Sequence, residues 1–183
     1  RNLWELHNAK DTLQHYIQWI DDKKQRSLVR HFLDLYYDLL TPLEKELRRG
    51  WIHNDFNDYN VLITPNLNGS PLLGLIDFGD MTYSYLAAEL AVACAYAMLN
   101  KDAPLEAAVH LISGFHNKFQ LEENDIEILY PMILIRLCLS LTIGAFQQHK
   151  DPKNEYLGIS QVPVQKLLAI LKKNNVRYIN HLF

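Results

Sequence analysis

Two groups of side chains between residues 51 and 80 could do chemistry together. One is His53-Asn54-Asp55 with Asn60 five positions after the aspartate, and the other is Asp77-Phe78-Gly79 at the end of the apolar run Leu72 to Ile76. A carboxylate and a carboxamide on one short loop, with a second carboxylate at a strand end, are what phosphoryl transfer asks of a protein: a base for the attacking hydroxyl and oxygen ligands for a metal that bridges phosphates. Asp55 fits the base, and Asn60 and Asp77 fit the Mg²⁺ ligands. Side chains on a single regular helix would not converge in this way. Asp and Asn are also common in turns, and a three-residue match alone carries little weight. The weight lies in the order: loop pattern, β-type run, hairpin turn, Asp-Phe-Gly.

The elements that must position these groups are a hairpin and a set of helices. Val61-Leu62-Ile63 and Leu72 to Ile76 have strand character and flank a turn-rich stretch containing Asn68-Gly69, which predicts a hairpin that returns Asp77 to the side of Asn60. Upstream, residues 2–20 read as helical, Asp21-Asp22 offers a stop and restart, and Leu28, Phe32, Leu35, Tyr36, Leu39 and Leu40 form one apolar face. Thr41, Pro42 and Glu44 suit the N-cap, first turn and capping box of a further short helix. Gly50 then suits a helix C-terminal glycine, so that the loop is expected to start directly off a helix. Everything after Asp80 reads helical. Leu86 to Leu99 is apolar nearly all round, with Tyr96 and Met98 expected in the core. Ala107 to Phe119 is amphipathic, Asp125 to Phe146 is long, and Gln161 to Lys173 closes the set. The fold expected is α+β and mainly helical, one lobe over residues 1–183, with a small β-hairpin carrying the metal ligands.

Composition narrows the partners. The chain has 183 residues, 49% hydrophobic and 21% charged, with a net charge of −3, enough for one substantial core and without a dense basic block, so nucleic acid is not expected. Residues 51–100 contain no Lys or Arg, while Asp55, Asp58, Asp77, Asp80 and Glu89 all fall there. Such a segment is either poor in polar groups because it is buried, or it is a negative pocket that needs Mg²⁺ or a substrate amine. These acids are either surface groups or substrate contacts; at least one of Asp58, inside the loop, and Asp80, directly after Asp-Phe-Gly, is expected to face an ammonium group, and Glu89 is either a third such contact or a first-turn helix acid. Cys94 and Cys138 sit in apolar runs, which argues against a disulfide framework and for a cytoplasmic setting. The apolar stretch Leu129 to Phe146 is interrupted by Pro131, Arg136 and Ser140, so a buried core helix is expected there and no membrane span. The scattered histidines give no zinc-binding pair.

Residues 51–80 resemble the aminoglycoside phosphotransferase and choline kinase group of small-molecule kinases, whose loop is His-x-Asp-x4-Asn and whose metal aspartate closes an Ile-Asp-Phe strand end. Asp77-Phe78-Gly79-Asp80-Met81-Thr82-Tyr83 and the helical tail look most like hydroxylysine kinase-type enzymes, some of which are fused to class III aminotransferases. The resemblance implies a protein kinase-like C-terminal lobe that uses ATP as phosphoryl donor and Mg²⁺. It implies Asp55 as base, His53 as organiser of the loop, and Asn60 and Asp77 as metal ligands. Glu89 stands where that group commonly has an Asp. Asn54 replaces the Arg of His-Arg-Asp and no Ala-Pro-Glu follows, which disfavours a phosphorylation-gated protein kinase. Residues 1–50 hold one glycine, Gly50, and no glycine loop, so the N-terminal nucleotide lobe is expected to be absent from this chain and the isolated fragment to be inactive. The expected substrate is a hydroxylated small amine. A non-catalytic binding module that keeps the fold is the alternative.

Overall fold

Asp22 starts the first long element. Its carboxylate accepts the Lys24 N–H at 2.7 Å, filling one of the donors that a helix start leaves open, and α2 follows over Lys23–Leu43. A computed structural model describes residues 2–64, 72–154, 161–174, 179 and 182. Before α2 lie a 3-10 turn, α1 (Ala9–Tyr16) and a second 3-10 turn. After it come β1 (Arg49–Ile52), β2 (Val61–Thr64), β3 (Leu72–Leu75), a 3-10 turn over Phe78–Asp80 and β4 (Thr82–Tyr85). The remainder is helical: α3 (Leu86–Ala97), α4 (Pro104–His116), α5 (Glu123–Lys150) and α6 (Gln161–Leu171). The protein is mainly helical with small antiparallel sheets, as the apolar spacing predicts.

α5 is the axis of the core, packing against α1, α2, α3 and α6, while α4 lies on α3. It begins at a reciprocal capping box between Glu122 and Asp125. It is long and apolar enough to cross a membrane, yet 94% of its most apolar window is buried inside this fold, which makes it a core helix here. Cys94 and Cys138 are free and buried, and burial pushes the Cys94 thiol up to about 12, so both behave as small apolar residues.

Three expectations are corrected. Thr41 caps no new helix: α2 runs through Pro42, and the Thr41 hydroxyl donates back to the Tyr37 carbonyl at 2.7 Å. Burial of Phe32, Leu33, Tyr36 and Leu40 holds that helix against a poor local propensity. Gly50 ends no helix but lies within β1, where a Cβ would stand 2.7 Å from Leu86 Cδ2; close packing of α3 onto the strand is the reason for glycine. The chain after Asp80 is not wholly helical, because β4 pairs antiparallel with β1 from Arg49↔Tyr85 to Ile52↔Thr82.

The hairpin is present as β2 and β3, paired from Val61↔Leu75 to Thr64↔Leu72, although its Asn68-Gly69 turn lies outside the described residues. The two pairings are nested: β1 and β4 clamp the outside, and β2 and β3 the inside. Residues 53–60 and 76–81 are thereby held opposite one another between the two sheets. A bond from the Ile76 N–H to the Asn60 carbonyl at 3.0 Å extends the inner pairing to the edge of that gap.

Candidate active site

The gap between the sheets contains the motif residues. His53 directly follows β1 and is buried, with one ring nitrogen on each side of the gap. Nε2 lies 2.9 Å from the Ile76 carbonyl and Nδ1 accepts the Asp55 N–H at 3.3 Å. An accepting carbonyl and a donating amide together specify the neutral tautomer with hydrogen on Nε2. His53 therefore ties the loop to the strand end that carries Asp77, and Phe78 packs edge-on against its ring at 4.8 Å.

Asp55 is held from several directions. Its Oδ2 accepts Asn57 Nδ2 at 3.0 Å and Asn60 Nδ2 at 2.9 Å, while Oδ1 accepts Arg136 Nη2 at 2.9 Å. Asn60 Nδ2 also donates to the Asp55 backbone carbonyl at 2.9 Å. A carboxylate offers about four acceptor positions, two on each oxygen. Oδ2 is filled, which leaves the open position on Oδ1. Asn57 shapes the loop further, since its Oδ1 accepts the N–H groups of Tyr59 at 2.9 Å and Asn60 at 3.2 Å.

Backbone strain concentrates here. Asn54 has φ 66° and Asp77 φ 62°, the left-handed region that Asn and Asp tolerate better than most residues. Non-glycine residues in that region persist where the surroundings over-determine them, often at functional sites. For Asn54 the support is Glu89, in the first turn of α3, whose Oε2 accepts the Asn54 N–H at 3.0 Å. The Asn54 carboxamide is buried without a hydrogen-bond partner among the described residues. Asp77 is supported by the Gly79 N–H at 3.3 Å on its Oδ1, and it remains exposed.

Asn60 and Asp77 fit a hard cation such as Mg²⁺. Asn60 spends its Nδ2 hydrogens on Asp55 and so has a carbonyl oxygen left to offer, and Asp77 presents an exposed carboxylate at the strand end. Among the described residues no group of three or more His, Cys, Asp or Glu side chains forms a metal cage. One or two protein oxygens completed by phosphate and water is how Mg²⁺ is commonly held in phosphoryl-transfer sites.

A cleft of about 640 Å³ opens beside the loop, walled by Asp55, Asp58, Asp80, Trp4, Tyr96 and Arg136 among others. Asp58 is exposed and Asp80 half-buried. The Asp80 carboxyl titrates above the usual range, first because burial disfavours its charge, then because Asp55 and Asp77 lie near; Arg136 and His53 act the other way. Glu89 is absent from the lining of this cleft and is engaged on the Asn54 backbone from the first turn of α3. A second cavity of about 500 Å³, by Trp19 and His149, contains none of the motif residues.

Arg136 and Tyr96 are the residues that the sequence did not assign to the site. Arg136 stands out there only as an interruption in an apolar run, and Tyr96 as core. Tyr96 is instead half-buried on the cleft, its hydroxyl 3.1 Å from Arg136 Nη2. A lone arginine in a long apolar helix needs a counter-charge, and the cation-free acidic segment was the place to look for it.

A helical fold with a nested hairpin, a buried loop histidine and a loop aspartate flanked by two metal-ligand candidates is the arrangement expected of a kinase-like phosphotransferase. Residues 1–118 match the family described as "Phosphotransferase enzyme family" (APH), and the chain belongs to that family. It is also similar to proteins named hydroxylysine kinase. With that of Danio rerio it is 29% identical over 162 residues, 87% of this chain and 45% of the relative. With that of Bos taurus it is 27% identical over 164 residues, 86% and 43% respectively. With that of Xenopus laevis it is 25% identical over 165 residues, 86% and 44% respectively. The chain thus spans less than half the length of these relatives. Family membership brings ATP and Mg²⁺ as the general requirements of the chemistry. Arg136 lies beyond the matched residues 1–118.

Proposed function

We propose that this chain supplies the base, the metal ligands and the acceptor cleft of an ATP-dependent kinase acting on a hydroxyl of a small amine-bearing molecule, such as an amino alcohol, a hydroxylated amino acid or an aminoglycoside-like compound. The observation that carries the reading is the Asp55 carboxylate, anchored by three side chains and left with one open acceptor position, on the wall of a cleft that Asp58 and Asp80 also line.

The acceptor hydroxyl donates its hydrogen to Asp55 Oδ1, which aims the oxygen lone pair and takes the proton as the new oxygen–phosphorus bond forms. The bond from the γ-phosphorus to the bridging oxygen breaks, and ADP leaves. Mg²⁺, held through Asn60 and Asp77, would offset charge on the phosphate oxygens. Positioning dominates such reactions, because the protein makes no covalent bond itself. Asp58 and Asp80 would attract the substrate ammonium, a charge-assisted contact worth about 1.5–3 kcal/mol where shielded.

The nucleotide grip is assigned to further chain outside these 183 residues, so the isolated chain is expected to fold and to turn over little. A cytoplasmic setting agrees with the two buried free cysteines, and an aminotransferase fusion partner would suit an amine substrate. The test is phosphorylation of amino alcohols and hydroxylated amino acids by the full-length protein with ATP and Mg²⁺. Asp55→Asn should lower kcat by about 10²–10⁴-fold, the usual contribution of a positioned base. Unaltered turnover in that variant sinks the reading.

A further inference from the structure

Arg136 lies in α5, a helix whose neighbouring positions from Ile128 to Leu141 are buried, and it is itself only 2% exposed. Nη2 reaches Asp55 Oδ1 at 2.9 Å and the Tyr96 hydroxyl at 3.1 Å, and Nη1 reaches the Trp4 carbonyl at 3.3 Å. Its guanidinium carbon lies 4.8 Å from the centre of the Trp4 ring and 5.4 Å from that of Tyr96. Nε is buried with no partner among the described residues.

Stability alone gives little reason for this group. Replacing a buried ion pair by well-packed apolar residues is often neutral or stabilising, because desolvation offsets the attraction between the charges. α5 also has ample apolar contacts without it. Arg136 binds the one Asp55 oxygen that still has an open acceptor position, the oxygen that would meet the substrate hydroxyl. We infer that Arg136 is a positioning residue for the phosphotransfer base: held by Trp4 and Tyr96 on the cleft wall, it fixes the direction of Asp55 Oδ1. This rests on the kinase reading above and adds a role for α5 to it.

The consequence is kinetic. Asn57 and Asn60 hold Oδ2 alone and leave the carboxylate free to pivot about that oxygen, and a displacement of about 1 Å at a reacting group can cost about 10²-fold in rate. In the full-length protein, Arg136→Met should lower kcat by about 10²-fold while KM for ATP and for the amine each stay within about threefold. Arg136→Ala assayed with millimolar methylguanidinium should regain at least about tenfold in kcat, since a free guanidinium can occupy the vacated position. Arg136→Lys keeps the charge but cannot reach all three acceptors, so its kcat should fall between wild type and Arg136→Met. Tyr96→Phe, which removes a single hydroxyl, should lose only about threefold.

A folded Arg136→Met variant with wild-type kcat overturns the inference, as does a loss confined to KM. If Arg136→Met does not fold, Arg136→Lys and Tyr96→Phe decide on the same split, and wild-type kcat in both overturns it. A wild-type protein that phosphorylates no amine ends the kinase reading and this inference together, whereas an active wild type with indifferent variants ends this inference alone.

Discussion

Arg48 and Arg136 each hold an aspartate in an ion pair with one buried member, and the two pairs are built differently. Arg48 binds Asp125, 2% exposed, at the start of α5 through both Nε and Nη2, and the same carboxylate accepts the Glu122 N–H at 3.0 Å. Arg48 also donates to the Gln120 carbonyl at 2.9 Å and lies over the Phe119 ring. The carboxylate sits in the first turn of the helix, where the macrodipole favours it. That pair is closed off from the cleft, and neither residue has a positive φ. The Arg136–Asp55 pair inverts the exposure: the arginine is 2% exposed and the aspartate 23%. It keeps an acceptor position open to a cleft, and two residues with positive φ lie close to it in the nested loops. The first pair is spent on a helix start, whereas the second leaves an acceptor position facing a cleft and relies on surrounding groups to keep it aimed.

The largest effect on stability is expected at the closed pair. Asp125→Ala removes half of the capping box and the charge-assisted bonds of Arg48 to it, while Arg48 keeps Glu122 at 3.3 Å, so the cost is about 2–4 kcal/mol. For a chain of this size that lowers Tm by about 4–16 °C. The kcat of the full-length protein, measured well below the new Tm, should be unchanged. A loss of kcat in the folded Asp125→Ala variant would erase the distinction between the two pairs.

A smaller effect is expected at the support of the open pair. Glu89→Ala removes the acceptor of the Asn54 N–H, and an unsatisfied buried donor costs about 1–3 kcal/mol. The left-handed conformation of Asn54 also loses its external support, so Asp55 is released as well. Melting should shift by only a few degrees while kcat falls by about tenfold. If melting shifts and kcat does not, Glu89 is a structural helix-start acid alone.

The unequal legibility of the sequence has a physical basis in the span of each interaction. That Asp55, Asn60 and Asp77 come together could be read because it is set by one hairpin and its adjoining loop, where strand pairing follows from residues close in sequence. The outer pairing of β1 with β4 joins residues 49–52 to residues 82–85, and neither four-residue strand has enough local pattern to announce itself. Gly50 was read as a helix end for the same reason, since its true neighbour, Leu86, is remote in sequence. Arg136 meets Asp55 across 81 positions, so its role emerges only once α5 is placed against the loop. The α2 terminus went the other way: Thr41-Pro42-Leu43-Glu44 has the composition of a helix start, and tertiary burial carried the existing helix through it.

The smallest change in stability is expected at Asp80, and its sign is opposite to the others. Its carboxyl is raised above the ordinary aspartate range by burial first and then by Asp55 and Asp77, so the folded state keeps this proton to higher pH than the unfolded chain does. Stability therefore falls as pH rises from the unfolded value of about 3.9 through the raised folded value, and at neutral pH the ionised carboxylate opposes folding. Asp80→Asn removes that opposition and should raise Tm by about 1–2 °C at pH 7, a gain that vanishes in acid where Asp80 is protonated in both states. In the kinase reading the same carboxylate attracts the substrate ammonium, so the variant should raise KM for the amine by about tenfold and leave KM for ATP unchanged. Melting curves at pH 3 and pH 7, together with the two Michaelis constants, check both halves. A variant less stable than wild type at pH 7, or one with an unaltered KM for the amine, would show that Asp80 is a surface acid and that the open side of the Arg136–Asp55 pair does not face a cation.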